Sequence, residues 1–145
     1  VARLVALVVL LAACDTRVGA DPARVFLLDR LRVDRAQAER AAAHLDNPSF
    51  PCASMIATAA SFAKEWEKLA PATRAELEGA RRLCFDAALV YGLTRAARLE
   101  HARRARTELV EECFDLERAL DILVLVHPID PIVSGLTSRR KLLCP

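Results

Sequence analysis

Glycine is scarce in this chain, with 4 in 145 residues, and aromatic side chains make up only 5%. So few glycines cannot supply the positive-φ hairpin turns of a many-stranded β sandwich. Scattered as they are, they also cannot build a phosphate-cradling loop. Neither sign of charge dominates: Lys+Arg 21 against Asp+Glu 19 leaves +2, too balanced for a dedicated nucleic-acid binder. No H-E-x-x-H, C-x-x-C or C-x-x-C-H occurs, which removes the zinc-protease, dithiol-redox and haem-attachment signatures. The apolar run at the N-terminus, Leu4 to Ala13, spans about 15 Å as a helix, half of a bilayer core, and so is too short to cross one.

The chain is instead 54% hydrophobic and 28% charged, a globular balance in a length typical of one domain. Five cysteines are many for a cytosolic protein of this size and point to an oxidising compartment. Residues 1–13, with Arg3 ahead of the apolar run, have the basic-then-apolar order of a secretory signal peptide. Leu11-Ala12-Ala13-Cys14 closes that run and resembles the lipobox of bacterial lipoproteins. The resemblance implies acylation of the Cys14 thiol, cleavage before it, and a bacterial cell-envelope protein facing the periplasm or exterior. Two or three acyl chains make a stable anchor where one is marginal. Residues 14–20 would then be a tether and 21–145 a single helical domain. A competing cut after Ala20, at Val18-Gly19-Ala20, would release a soluble secreted domain. Asp15 and Arg17 disfavour it.

The rest of the chain reads as helices. Asp21-Pro22 is a cap followed by proline at the first helical position, with Val25, Leu28 and Leu31 at helical spacing. Asp34 and Gln37 could cap a second segment, breaking the helix near Val33. Asn47–Pro51 reads as a turn. A helix from about Cys52 to Leu69 has the stripe Cys52, Ile56, Ala59, Ala63, Trp66 and Ala70, and Pro71 ends it. The next, Ala72 to Tyr91, lines up Leu77, Ala80, Cys84, Ala88 and Tyr91, with Gly92 as its stop. Leu93 to His127 contains neither proline nor glycine and reads as one long helix or two in line, seamed by Leu99, Ala102, Ala105, Leu109, Cys113, Leu116, Leu120 and Leu123. Ile122–Val126 could fray into an extended piece. His127-Pro128-Ile129-Asp130-Pro131 ends the helix, and the tail is expected to be irregular. The fold class is therefore all-α, an up-down bundle of four or five helices.

With Cys14 removed or modified, Cys52, Cys84, Cys113 and Cys144 remain, an even number that reads as two disulfides. Turns at Pro71 and Gly92 place Cys52 roughly 28 Å and Cys84 roughly 20 Å below the first turn. The same turns return Cys113 to about the level of Pro71, far from Cys84. Cys52–Cys84 is thus favoured, which leaves Cys113 for Cys144. The tripeptide Cys-Phe-Asp occurs at 84–86 and at 113–115, but little else aligns between the two.

Reactive constellations are sparse. His44, His101 and His127 are dispersed. His127 and Asp130 could share a turn as metal ligands, but beside prolines they read better as a loop cap. Glu108, Glu111, Glu112 and Asp115 cluster without the Glu-x-x-His pairs of di-iron bundles, and read as a solvated acidic face. Arg95, Arg98, Arg103, Arg104 and Arg106 make the first half of the long helix basic and the second half acidic. Ordinary solvation and pairs such as Arg104–Glu108 account for that, and in an exported protein the same arginines could meet an envelope protein or anionic polymer. The expected role is a non-catalytic binding or scaffolding module with no cofactor or metal, attached to a membrane through its lipid. A helical carrier of a small apolar ligand or lipid is the alternative, and an enzyme is the third option.

Overall fold

A computed structural model describes residues 21–106 and 109–144. The expectations about the signal peptide, Cys14 and the tether lie outside the described residues, as does the Arg104–Glu108 pair. Among the described residues the chain is helical throughout: α1 (Pro22–His44), α2 (Ser49–Ser61), a 3₁₀ segment (Ala63–Lys68), α3 (Pro71–Arg104), α4 (Val110–Val126) and α5 (Pro131–Leu143). The chain divides into two compact units, residues 1–30 and 31–145, with the boundary inside α1. In the first, Asp21 Oδ1 accepts from Ala23 N–H at 3.1 Å, the cap that the Asp-Pro pair predicts.

From Leu31 onward the helices alternate in direction. The stretch of α1 after Leu31 runs alongside the first half of α3, joined by Arg32–Glu76 at 2.7 Å. α2 returns against both, with Ser54 Oγ donating to Asp34 Oδ2 at 2.6 Å and Cys52 bonded to Cys84. α4 runs antiparallel to α3, and α5 runs beside the second half of α3, with Arg139–Glu100 at 2.7 Å. The core seams fall where helical periodicity puts them. Leu77, Ala80, Cys84, Ala88 and Tyr91 are buried on α3, and Leu116, Leu120 and Leu123 on α4. Each large aliphatic side chain so buried stabilises the fold by about 1.5–3 kcal/mol.

The pairing Cys52–Cys84 and Cys113–Cys144 is present, with Cα–Cα distances of 5.3 and 5.8 Å. Each loop of about thirty residues contributes roughly 3–4 kcal/mol by restricting the unfolded chain. Two such bridges fit an oxidising, extracytoplasmic setting. No described helix is long and apolar enough to cross a membrane.

Several boundaries differ from expectation. α1 does not break near Val33, because Asp34 is buried and turned to Ser54 rather than used as a cap. α2 begins at Ser49, with Asn47 Oδ1 accepting its N–H and Pro51 harmless in the first turn. After Ser61 the backbone tightens to 3₁₀, so Phe62 and Leu69 are buried and the expected Ala63 and Ala70 are exposed. The expected irregular tail is α5: Asp130 Oδ1 accepts from Ile132 N–H at 2.8 Å and Pro131 sits in the first turn, repeating the Asp21-Pro22 signature. Ile122–Val126 stays helical, with Ile122, Leu123 and Val126 buried.

The largest correction concerns Gly92. α3 passes straight through it and ends 12 residues later, at Arg104. A Cβ there would lie 3.0 Å from Leu136 Cδ2 and 3.2 Å from Ala119 Cβ, so the missing side chain is what lets α4 and α5 close on α3. The helix closes instead at Ala105 and Arg106, with Arg106 in the left-handed region at φ 55°. The charge reversal that reads as one dipolar helix is a basic C-terminus (His101, Arg103, Arg104) followed by an acidic N-terminus (Glu111, Glu112), each complementing its own helix dipole. Leu45, also at φ 55°, ends α1 in the same way, with Asp46 N–H bonded to Ala41 O in a Schellman closure.

Replacing Gly92 with valine should overpack this junction and destabilise the fold by about 1–3 kcal/mol. Thermal unfolding followed by circular dichroism measures this, and an unchanged melting temperature would contradict the close approach. Graded reduction with alkylation and mass spectrometry should open Cys113–Cys144 first, since Cys113 is half-buried while Cys52 and Cys84 are both 0% exposed.

Candidate functional site: the basic tip of the α3–α4 hairpin

Arg95, Arg98, Arg103 and Arg104 at the end of α3, with Arg106 just beyond it, divide into two groups with different surroundings. Arg95 Nη1 donates to both carboxylate oxygens of Glu112 at 3.1 and 2.9 Å, and Arg98 Nη1 donates to Glu112 Oε1 at 3.2 Å. Arg95 also lies over the Tyr91 ring, 4.5 Å from its centroid, and 3.9 Å from Asp115. Glu112 and Asp115, expected on a solvated acidic face, point at α3 instead, whereas Glu111 is exposed. Their signal was the helical spacing of Tyr91 and Arg95 opposite Glu112 and Asp115, legible only once the end of α3 is placed at Arg104.

This network sets its own titration. Burial, and then the hydrogen bond to Asp115, push the Tyr91 phenol up to about 12, against a partial opposing pull from Arg95. Burial works against the Arg95 charge, but the bond to Glu112 and the neighbouring groups outweigh it and raise its pKa.

Arg103, Arg104 and Arg106 sit at the far end. Arg103 Nη1 donates to Leu142 O at 3.0 Å, tying the end of α3 to that of α5. Arg104 and Arg106 are exposed, and among the described residues neither has an ion-pair partner. Around them the tip has two open hollows that share Ala102 and Leu109. One, of about 660 Å³, lies along α3 beside Arg98, His101 and Ala105. The other, of about 630 Å³, is enclosed by the end of α3, the start of α4 and the end of α5. Its lining includes the apolar Leu99, Leu109, Val110 and Leu142 and the cationic Arg103, Arg106 and Lys141. Val110 and Leu142 are 75% and 72% exposed, unusual for aliphatic side chains so close together. Sequence reading picked out the arginines but not Val110 or Lys141, because with α5 taken as a loose tail nothing brought 141–143 to them.

The histidines do not converge. His44 Nδ1 is 2.8 Å from Arg40 O, His101 is exposed at the tip, and His127 packs edge-on against Phe85. Asp130 caps α5, the loop-cap arrangement. Among the described residues no three His, Cys, Asp or Glu side chains are grouped to hold a metal ion. No protein-family model, curated protein or solved structure matches the chain.

Tyr91 is the sole tyrosine, so absorbance at 295 nm reports it directly. Its raised folded value means that it contributes stability fully below pH 10, the unfolded value, and loses it as pH rises to about 12. Phenolate should therefore appear only near pH 12 or together with alkaline unfolding. A clean titration at pH 10 in folded protein would contradict the buried network.

Proposed function

We propose that this protein is an exported bacterial lipoprotein, held to its membrane by acyl chains on Cys14. Its folded part acts as a non-catalytic binding or scaffolding module of the cell envelope, with the basic, apolar tip as the contact surface. The cysteine inventory carries the reading. Of five cysteines, four are joined in two disulfides, and the remaining one is Cys14, which closes the Leu11-Ala12-Ala13-Cys14 motif. Two bridges between helix seams suit an oxidising compartment, and an acylated cysteine ahead of them supplies the attachment that no described helix provides.

The tip supports a contact with an anionic partner. Arg95 and Arg98 are occupied by Glu112 and serve the fold, whereas Arg103 and Arg106 line one hollow with the exposed Val110 and Leu142, and Arg104 is exposed at the same end of α3. Cations grouped around apolar surface favour partners that combine negative charge with a hydrophobic body. The alternative processing, cleavage after Ala20, keeps the tip and loses the anchor.

Intact mass of the natively expressed protein, with and without reduction and alkylation, tests this reading. The expected mass is residues 14–145 plus acyl chains, with four cysteines alkylated only after reduction. A mass starting at Asp21 without lipid would establish a soluble secreted domain. Retention of residues 1–13 with free thiols would remove both anchor and export from the account.

A further inference from the structure

We infer that the hollow enclosed by the ends of α3 and α5 and the start of α4 binds a single-chain anionic amphiphile of the fatty-acid class. The inference rests on the tip being the protein's binding surface. At about 630 Å³ the hollow falls within the range of small-molecule sites. Its described lining is apolar and cationic. Leu99 and Ala102, nearly buried, form the floor, the exposed Leu109, Val110 and Leu142 share the rim with Arg103, Arg106 and Lys141, and no described acidic residue lines it.

That distribution separates it from two hollows elsewhere in the fold, and the adjoining hollow beside His101, also without a described acidic lining residue, has as its one arginine Arg98, which is bonded to Glu112. The one between α4 and α5 mixes Glu117 and Asp121 with Arg140 and Lys141, and the one near His127 mixes Glu78, Asp86 and Asp130 with Arg81 and Arg82. A small inorganic anion would use the rim and leave the floor wet. A neutral hydrocarbon would use the floor and leave the cations without a counter-charge. An acyl chain ending in a carboxylate uses both. The floor at Leu99 and Ala102, 5% and 4% exposed, also lies deeper than a bilayer surface resting on Val110 and Leu142 would touch.

Arg106 adds a separate argument. It occupies the left-handed position that ends α3, φ 55°, where glycine closes a helix with less backbone strain. The guanidinium at the rim is what arginine contributes there in exchange. A role in binding and a role in folding thus predict opposite consequences for Arg106→Gly.

The test is photolabelling of the full-length protein with a palmitate analogue carrying a diazirine on its acyl chain, followed by peptide mapping. The protein is held in phosphatidylcholine vesicles if its intact mass shows the anchor and in buffer if it does not, so loss of the lipoprotein reading leaves this measurement standing. Label should map to residues 99–113 and 140–144, fall at least tenfold with excess palmitate, and be unaffected by hexadecanol. Arg106→Gly and Lys141→Gln should each reduce labelling about fivefold or more, while Arg106→Gly keeps or raises the melting temperature. Label elsewhere, equal competition by hexadecanol, or unchanged labelling in both variants would overturn the inference. So would tip labelling that requires phosphatidylglycerol vesicles and ignores added palmitate, which would mark the tip as a bilayer contact.

Discussion

The architecture depends on how closely three helices approach one another at Gly92. A glycine in the middle of a 34-residue helix sacrifices about 1 kcal/mol of helix propensity relative to alanine. In return Leu136 and Ala119 come to within 3.0 and 3.2 Å of the place a Cβ would occupy, and Leu116 and Leu136 are sealed from solvent. Because α3 continues past this point, its second half meets α4 and α5 rather than α1 and α2. One rod of about 51 Å therefore serves two sets of partners, each stapled by its own disulfide.

Much of this was legible in the sequence, and the failures have identifiable causes. The seams through Leu77, Cys84 and Tyr91, and through Leu116, Leu120 and Leu123, survive because buried positions on a helix must recur at its period. Gly92 misleads because local rules give glycine at a helix end and close packing gives it at a helix crossing, and sequence alone does not distinguish them. The true turn carries no glycine or proline, only a basic run followed by an acidic one, and closes through an arginine in the left-handed region. The disulfide pairing was inferred from a Cys113 height that is wrong, since Cys113 lies near the tip rather than at the level of Pro71. The inference held because either placement leaves Cys113 far along the bundle from Cys84.

The candidate site was legible as a set of arginines but not as a place. Helical geometry turns Arg95 and Arg98 toward Glu112, where they hold α4 against α3, and leaves Arg103, Arg104 and Arg106 at the end of the rod. A stripe that looks uniform in sequence thus contains a structural half and an outward-facing half. The apolar half of the tip comes from Leu109, Val110 and Leu142, and the last of these joins the others only because α5 is a helix bound by Arg103 and Cys144.

The order of the bridges has a consequence for biogenesis. Counting from Cys52, each bond joins a cysteine to the next one along the chain, at separations of 32 and 31 residues, and the two loops neither overlap nor interlock. A chain that crosses a membrane from its N-terminus presents Cys52 and Cys84 to an oxidant before Cys113 has emerged. With Cys14 acylated as proposed, pairing each newly exposed thiol with the one still waiting then yields the native set directly. Such a chain needs an oxidase on the far side of the membrane but no isomerase to correct its mistakes.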